Sequence, residues 1–337
     1  MIDYLLLVPV ALSFLTTLLV MPYWIKKARQ IGLIWDDMNK LGKQGVAGSG
    51  GIIVVMGFIV GIIFYVAYLV FYLGSESLFL VEIFAMLNVV LILAGIGFID
   101  DLLGWQRGGL SRRSRIILTG LASIPLISIN AGKSLVSIPL IGVIELGLVY
   151  PLILIPIGII GATTTFNFLA GFNGLESGQG VILLLSIGIV GYLTGNSWIL
   201  IVSLCMVGSL LAFILFNYYP AKVFPGDSIT YSIGGLVAIL AILGNFEKIA
   251  VFFFIPYIME TVLKSRGKLK KHSFGEPQKD GSLNLKYNKI YGLTHLSIFL
   301  MKKFGLKVTE KKVVYSIWLF QTVVVILGFL IFREGIF

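Results

Sequence analysis

Apolar runs of about 20 residues recur along this chain, and each is long enough to cross a bilayer core of about 30 Å. In lipid the backbone must satisfy its own hydrogen bonds, so runs of this length read as helices. The fold class expected is therefore an all-α polytopic membrane protein. Ten transmembrane helices are read, at about residues 4–25, 48–73, 80–99, 114–131, 149–168, 178–195, 198–217, 228–245, 248–264 and 313–332. Charged residues make up only 12% of the 337, against about 25% in a soluble globular chain. Lipid must cover the surface that polar side chains do not. Residues 1–337 are read as one integral-membrane domain. The first run is too long for a cleaved leader, with Asp3 before it and Lys26, Lys27 and Arg29 after it. The single cysteine, Cys205, excludes an internal disulfide and a thiol metal cluster.

Basic residues set the orientation. Segments 26–47, 100–113, 169–177, 218–227 and 265–312, with the adjoining span ends, hold 23 of the 26 Lys and Arg; Lys133, Lys248 and Arg333 fall opposite. The basic side is read as cytoplasmic, and ten spans then place both termini outside. Orientation and anionic headgroups account for the net charge of +10, so no nucleic-acid partner is needed. Residues 265–312 form the largest cytoplasmic loop. Pro256 and Glu260 predict a break in the ninth span. The outer segment 132–148 is rich in β-branched residues and predicts a small hairpin.

Three cytoplasmic stretches carry dense polar motifs at the membrane edge: "FIDDLLGW" at 98–105, "TFNFLAGFNGLESGQG" at 165–180 and "NYYPAKVFPGDS" at 217–228. Asp100 and Asp101 point about 100° apart on a helix, so they suit two jobs, one carboxylate toward a phosphate and one on a lysine or arginine. They are expected at the C-terminal end of their helix, where the macrodipole opposes acids and calls for a cation, magnesium or the following arginines. Asp227 follows Pro225 and Gly226 at the start of a span. It suits either a helix cap or a hard cation such as Mg2+. Asn167 and Asn173 offer a donor and an acceptor each, which suits a pyrimidine edge or a polar turn. The glycine-rich run "DDMNKLGKQGVAGSGG" at 36–51, with Lys40 and Lys43, could bring backbone N–H groups to a phosphate or serve as a flexible loop. His272 sits among lysines that would suit a pyrophosphate, whereas His295 reads as structural.

Together these motifs resemble the polyprenyl-phosphate N-acetylhexosamine-1-phosphate transferases over nearly the whole chain. The stretch "NFLAGFNGLE" is most similar to the dolichyl-phosphate branch, since Ala170 and Asn173 stand where the peptidoglycan enzymes carry aspartates. The resemblance implies an active site on the cytoplasmic face and transfer of a sugar-1-phosphate, GlcNAc first, from a UDP-sugar to a dolichyl or undecaprenyl phosphate in the bilayer. It implies Mg2+ held by Asp227 and Asn167, and uracil met by Gly171 and Asn173. Asp100 would face the acceptor phosphate, with Asp101 supporting and Arg115 as the basic residue that follows the pair. Lys40 and His272 would be substrate-binding, and a homodimer is implied. Gly104 departs from the family, standing where many members carry a polar or basic residue.

A transporter or lipid flippase is the alternative, since polar residues and broken helices occur there too. One-sided motifs and the lack of an internal repeat count against it.

Overall fold

A computed structural model of the chain describes residues 4–42, 44–74, 79–138 and 142–336; Lys43 lies outside them. A short turn, Tyr4–Leu7, leads into helix α1 (Val8–Gln30), whose last turn carries Lys27 and Arg29, a favourable place for cations. Strands β1 (Ile34–Asp36) and β2 (Gly45–Ala47) pair antiparallel with Ile34 opposite Ala47. Helix α2 (Gly51–Ala67) is extended by a wider turn to Tyr72, and α3 spans Phe79–Arg107. Then come α4 (Arg112–Leu121) and α5 (Ile124–Ser128). The hairpin expected in 132–148 is present: β3 (Leu135–Ile138) pairs with β4 (Gly142–Glu145), while 139–141 lie outside the described residues. A turn at Tyr150–Leu154 opens α6 (Ile155–Phe168), followed by α7 (Leu175–Leu193), α8 (Ser197–Asn217) and α9 (Asp227–Gly244). The C-terminal part holds α10 (Glu247–Phe253), α11 (Ile255–Arg266), the short strands β5 (Glu276–Pro277) and β6 (Leu283–Asn284), α12 (Leu293–Lys303), α13 (Glu310–Ile331) and α14 (Arg333–Ile336).

Eight of the ten expected spans are helices long and apolar enough to cross a bilayer. The chain is a multi-pass membrane protein. The fourth expected span is two short helices instead, and the ninth carries the break expected at Pro256. In the fourth, the break falls between Leu121 and Ile124, and Pro125 sits in the first turn of α5. In the ninth, Phe254 separates α10 from α11, with Pro256 in α11's first turn. A proline tolerates a first turn because its missing N–H would be unsatisfied there anyway. A second correction concerns α3, expected to stop near residue 99. It runs on to Arg107, so Asp100 and Asp101 lie two turns inside it and the end-of-helix dipole argument does not apply to them.

Helix α9 is buried along almost its whole length and packs against α3, α6, α7 and α2. Its approach to α3 depends on Gly97, where a Cβ would collide with the backbone of Asp227 and Ser228. The loop before α9 is stitched to the start of α2. Phe224 N donates to Ala47 O (2.8 Å), Gly50 N to Phe224 O (2.9 Å) and Gly51 N to Pro225 O (2.8 Å). The glycine-rich run is therefore no free loop, and the N–H groups of Gly50 and Gly51 are committed to chain carbonyls.

Candidate active site

Four helices bring one acidic centre together. The Asp100 carboxylate is buried, and its Oδ2 lies 2.6 Å from Arg115 Nε. Its Oδ1 accepts from Arg115 Nη2 (3.0 Å) and from Leu110 N (2.7 Å). The Leu110 bond depends on the turn at Gly108 and Gly109, both at positive φ; a Cβ on Gly109 would stand 2.8 Å from Asp100 Oδ1. Tyr231, one turn into α9, donates to Asp100 Oδ2 at 3.4 Å. Asp101 faces elsewhere. Its Oδ1 accepts the backbone N–H of Asp227 (2.8 Å), and its Oδ2 is buried without a hydrogen-bond partner. One carboxylate thus holds a guanidinium and the other a helix N-terminus.

That second contact corrects the reading of Asp227 as a helix cap. The residue before α9 is Gly226, at φ 73°, and gives no side-chain cap; Asp101 supplies the acceptor from α3. The Asp227 carboxylate is left for other partners. Its Oδ1 accepts from Asn167 Nδ2 (2.9 Å), and its Oδ2 lies 4.0 Å from Arg115 Nη1. Two carboxylates, Asp100 and Asp227, face one guanidinium, and one oxygen of Asp101 is buried without a partner. No cluster of three His, Cys, Asp or Glu side chains is arranged to hold a metal among the described residues. The set still fits Mg2+, which takes one or two carboxylates and fills its shell with water and phosphate oxygens. Asp227 and the Asn167 amide oxygen are hard donors of that kind.

Beside the centre lies a cavity of about 580 Å³. Asp37, Asn173 and Glu176 form a buried floor, while Trp35, Phe172, Phe224 and Phe274 supply aromatic walls. His272 and Lys286 stand exposed at its rim. The Asn173 backbone N donates to Glu310 Oε1 (2.8 Å) and its Nδ2 to Asp37 Oδ2 (3.0 Å). Gly171 N donates to Glu176 Oε1 (2.8 Å), and Gly171 O accepts from Asn39 Nδ2 (2.8 Å). Trp35 brings the cavity wall up to α3: its ring lies 3.5 Å from where a Cβ on Gly104 would stand. A side chain at 104 would lie in van der Waals contact with that ring.

An apolar groove of about 440 Å³ runs between α6, α9 and the broken α10–α11 pair. It extends along α6 from Tyr150 to Thr165, which at 1.5 Å per residue is roughly 22 Å. Thr165 is two residues before Asn167, so that end of the groove comes within about 3 Å of Asn167's level along the α6 axis, on a different side of the helix. At the other end Tyr150 donates to Glu247.

Asp100, Asp101, Arg115, Asn167 and Asp227 meet in the centre; Gly171, Asn173 and His272 line the cavity. Lys40 lines neither. Its Nζ pairs with Asp37 Oδ2 at 2.6 Å and lies over the Tyr219 ring. His295 is buried and structural, its Nε2 facing Phe274 O at 3.3 Å. Sequence reading missed Trp35, Phe224, Phe274, Lys286, Glu310 and Tyr231. Of these only Tyr231 carried a local signal, four residues after Asp227 and hence on the same helix face.

Residues 83–245 match the family model described as glycosyl transferase family 4. The chain is 33% identical over 314 residues to a Sulfolobus acidocaldarius protein named putative UDP-N-acetylglucosamine–dolichyl-phosphate N-acetylglucosaminephosphotransferase, covering 93% of this chain and 92% of that one. It is 30% identical over 268 residues to the Dictyostelium discoideum protein named for the same activity, covering 68% and 64%. A phospho-N-acetylmuramoyl-pentapeptide-transferase of Streptococcus thermophilus is 30% identical over 285 residues, covering 78% and 81%.

Proposed function

Because the chain belongs to glycosyl transferase family 4, we propose that it transfers N-acetylglucosamine-1-phosphate from UDP-N-acetylglucosamine to a polyprenyl phosphate of the dolichol type, with Mg2+, on the cytoplasmic face. An acceptor phosphate oxygen attacks the sugar-bearing phosphorus of the donor. The bond from that phosphorus to the bridging oxygen breaks, and UMP leaves. The product is a polyprenyl-pyrophosphate sugar.

The observation that carries this reading is one acidic centre with an aromatic-walled cavity beside it and an apolar groove that reaches nearly the same depth along α6. A prenyl tail fits the groove, whose inner end stops two residues from Asn167. Its phosphate then arrives at Arg115, whose side chain is about one-third exposed beside the buried Asp100. Arg115 orients the phosphate, and Asp100 accepts the residual proton of any monoanion; with a second pKa near 6, about nine-tenths of the acceptor is already dianionic at pH 7. Asp227 and Asn167 would hold Mg2+, which when bound neutralises diphosphate charge and the leaving UMP. The cavity takes the uridine end, with Asn173 and Gly171 at the base and His272 and Lys286 at the rim. The one-sided distribution of Lys and Arg supports the cytoplasmic orientation.

The test is UMP release by the purified protein with UDP-N-acetylglucosamine, dolichyl phosphate and Mg2+, run against a panel of UDP-sugars and undecaprenyl phosphate. Release that requires both lipid phosphate and UDP-N-acetylglucosamine is expected. Transfer from another UDP-sugar alone would replace the donor. Lipid or substrate movement without UMP would return the transporter reading.

A further inference from the structure

We propose that residues 299–312 form a membrane-surface anchor that seats Phe304 and Leu306 in a bilayer interface bearing anionic phosphate headgroups. Most large apolar side chains exposed on this protein lie on spanning helices, where lipid covers them. The 265–312 loop should have none to spare. Yet Phe299, Leu300, Phe304 and Leu306 are all exposed within eight residues, Phe304 to 73%. Leu300 and Phe304 are one turn apart and share a face. Exposed apolar side chains scattered singly need no explanation, but a contiguous patch marks an interaction site.

Charge and position identify the partner. Lys302, Lys303, Lys307, Lys311 and Lys312 interleave with the patch. Leu306 is four residues before Glu310, where the last span begins, so it cannot lie more than about 14 Å from that point. Apolar side chains flanked by lysines at a span's start suit the headgroup–acyl boundary, where the lysines are drawn to an anionic surface. The segment is also held to the rest of its loop. Lys302 donates to Asn284, and Lys307 Nζ pairs with Asp280 Oδ2 at 3.4 Å.

The anchor bears on the cavity because α12 has two ends. Its C-terminal end presents the patch. Its N-terminal end grips the cavity wall: Thr294 Oγ1 donates to Ser273 O (2.7 Å), and His295 faces Phe274 O. Phe274 in turn lies against Gly171, 2.7 Å from where a Cβ would stand. A seated anchor therefore fixes the wall that carries His272 and Phe274.

The proposal is independent of the reaction and is read without it. Nitroxide labels are placed on Phe304→Cys and, as a control in the same loop, on Lys279→Cys; Cys205 is buried. The protein is reconstituted in vesicles of phosphatidylcholine with phosphatidylglycerol, and collisions with oxygen and a water-soluble nickel chelate are compared. Oxygen should dominate at 304 and the chelate at 279. Reversing two charges, Lys303→Glu with Lys311→Glu, should move the label at 304 toward water by at least about fivefold, the shift that about 1 kcal/mol gives. If Phe304→Cys does not fold, Leu306→Cys serves the same reading. Equal collision ratios at 304 and 279 overturn the anchor. An immersed label that ignores both the charge reversal and the removal of phosphatidylglycerol overturns its anionic partner.

Discussion

The acidic centre and the adjoining cavity are built in opposite ways. Every side chain of the centre stands on a helix: Asp100 and Asp101 on α3, Arg115 on α4, Asn167 on α6, and Asp227 and Tyr231 on α9. Span packing fixes their positions, and the collision that excludes a side chain at Gly97 shows how close α3 and α9 come. The cavity takes its walls from separate connecting stretches around residues 35–38, 171–173, 224 and 272–286. These are joined by single hydrogen bonds such as Asn173 to Asp37 and Asn39 to Gly171. Geometry held by helices suits bond-making, which tolerates little displacement. Walls held by loops suit recognition. Substitutions should therefore divide, with rate effects from the centre and affinity effects from the cavity.

The largest expected effect is that of Asp227→Asn. UMP release should fall by about a hundredfold to a thousandfold, as when one preorganised electrostatic group is lost. The thermal midpoint in detergent should stay within a few degrees, because Asp101 and not Asp227 caps α9. Near-normal turnover at saturating Mg2+ would remove Asp227 from the centre. A lost fold would mean that centre and scaffold cannot be separated there.

Asp100→Asn comes next, with a loss of about tenfold to a hundredfold, the range of one hydrogen bond to a charged group. The pH profile sharpens the assignment. If Asp100 takes the acceptor's residual proton, the deficit should shrink between about pH 6 and 8 as the phosphate becomes dianionic. A flat deficit would make Asp100 only the residue that orients Arg115. Asp101→Leu should act through the fold instead, costing about 1–3 kcal/mol by leaving the Asp227 N–H without its acceptor.

On the cavity side, Asn173→Ala should raise KM for the UDP-sugar by about tenfold and leave kcat within about twofold, since base contacts remote from the reacting phosphorus act as uniform binding. A fall in kcat at constant KM would break the division between centre and cavity.

The same division explains what could be read from sequence. Asp100, Asp101, Asn167 and Asp227 sit in short motifs at span ends, and the length of each apolar run placed those ends. The loop partners carried no such signal. Asn173 meets Asp37 across 136 positions and Glu310 across 137, and nothing local distinguishes those acids from solvated ones. Lys40 shows the converse: a lysine in a glycine-rich run suggested a phosphate, but Asp37 three residues earlier takes its charge. The break in the fourth expected span has a physical reason too. Hydropathy does not register that Pro125 begins a new helix. Helix α3 outran its apolar stretch because an α-helix continues into water wherever its residues permit.

The smallest expected effect is a pH response of the cavity wall through His295. Its Nδ1 accepts from Tyr291 N at 3.4 Å, and its Nε2 faces Phe274 O at 3.3 Å. The network therefore assigns a neutral ring with the proton on Nε2. Protonation would place a second N–H against the Tyr291 N–H. Burial lowers the imidazole pKa below its usual value, and the nearby charges of Lys264 and Lys286 act in the same direction, while the Phe274 carbonyl partly opposes them. The sign follows from linkage. With the folded pKa below the unfolded one, the unfolded loop binds more protons, so stability is full above about pH 6.5 and declines as pH falls toward the folded value. Lowering the pH from about 7.5 to 5.5 should reduce the protection factors of amides 272–275, measured against the intrinsic rate at each pH, severalfold, and His295→Gln, which keeps a donor but cannot charge, should make that protection insensitive to pH. Protection factors at Asp227 and Tyr231 should not respond in either protein. A matching change in both regions would mean that the centre is not held independently of the loops.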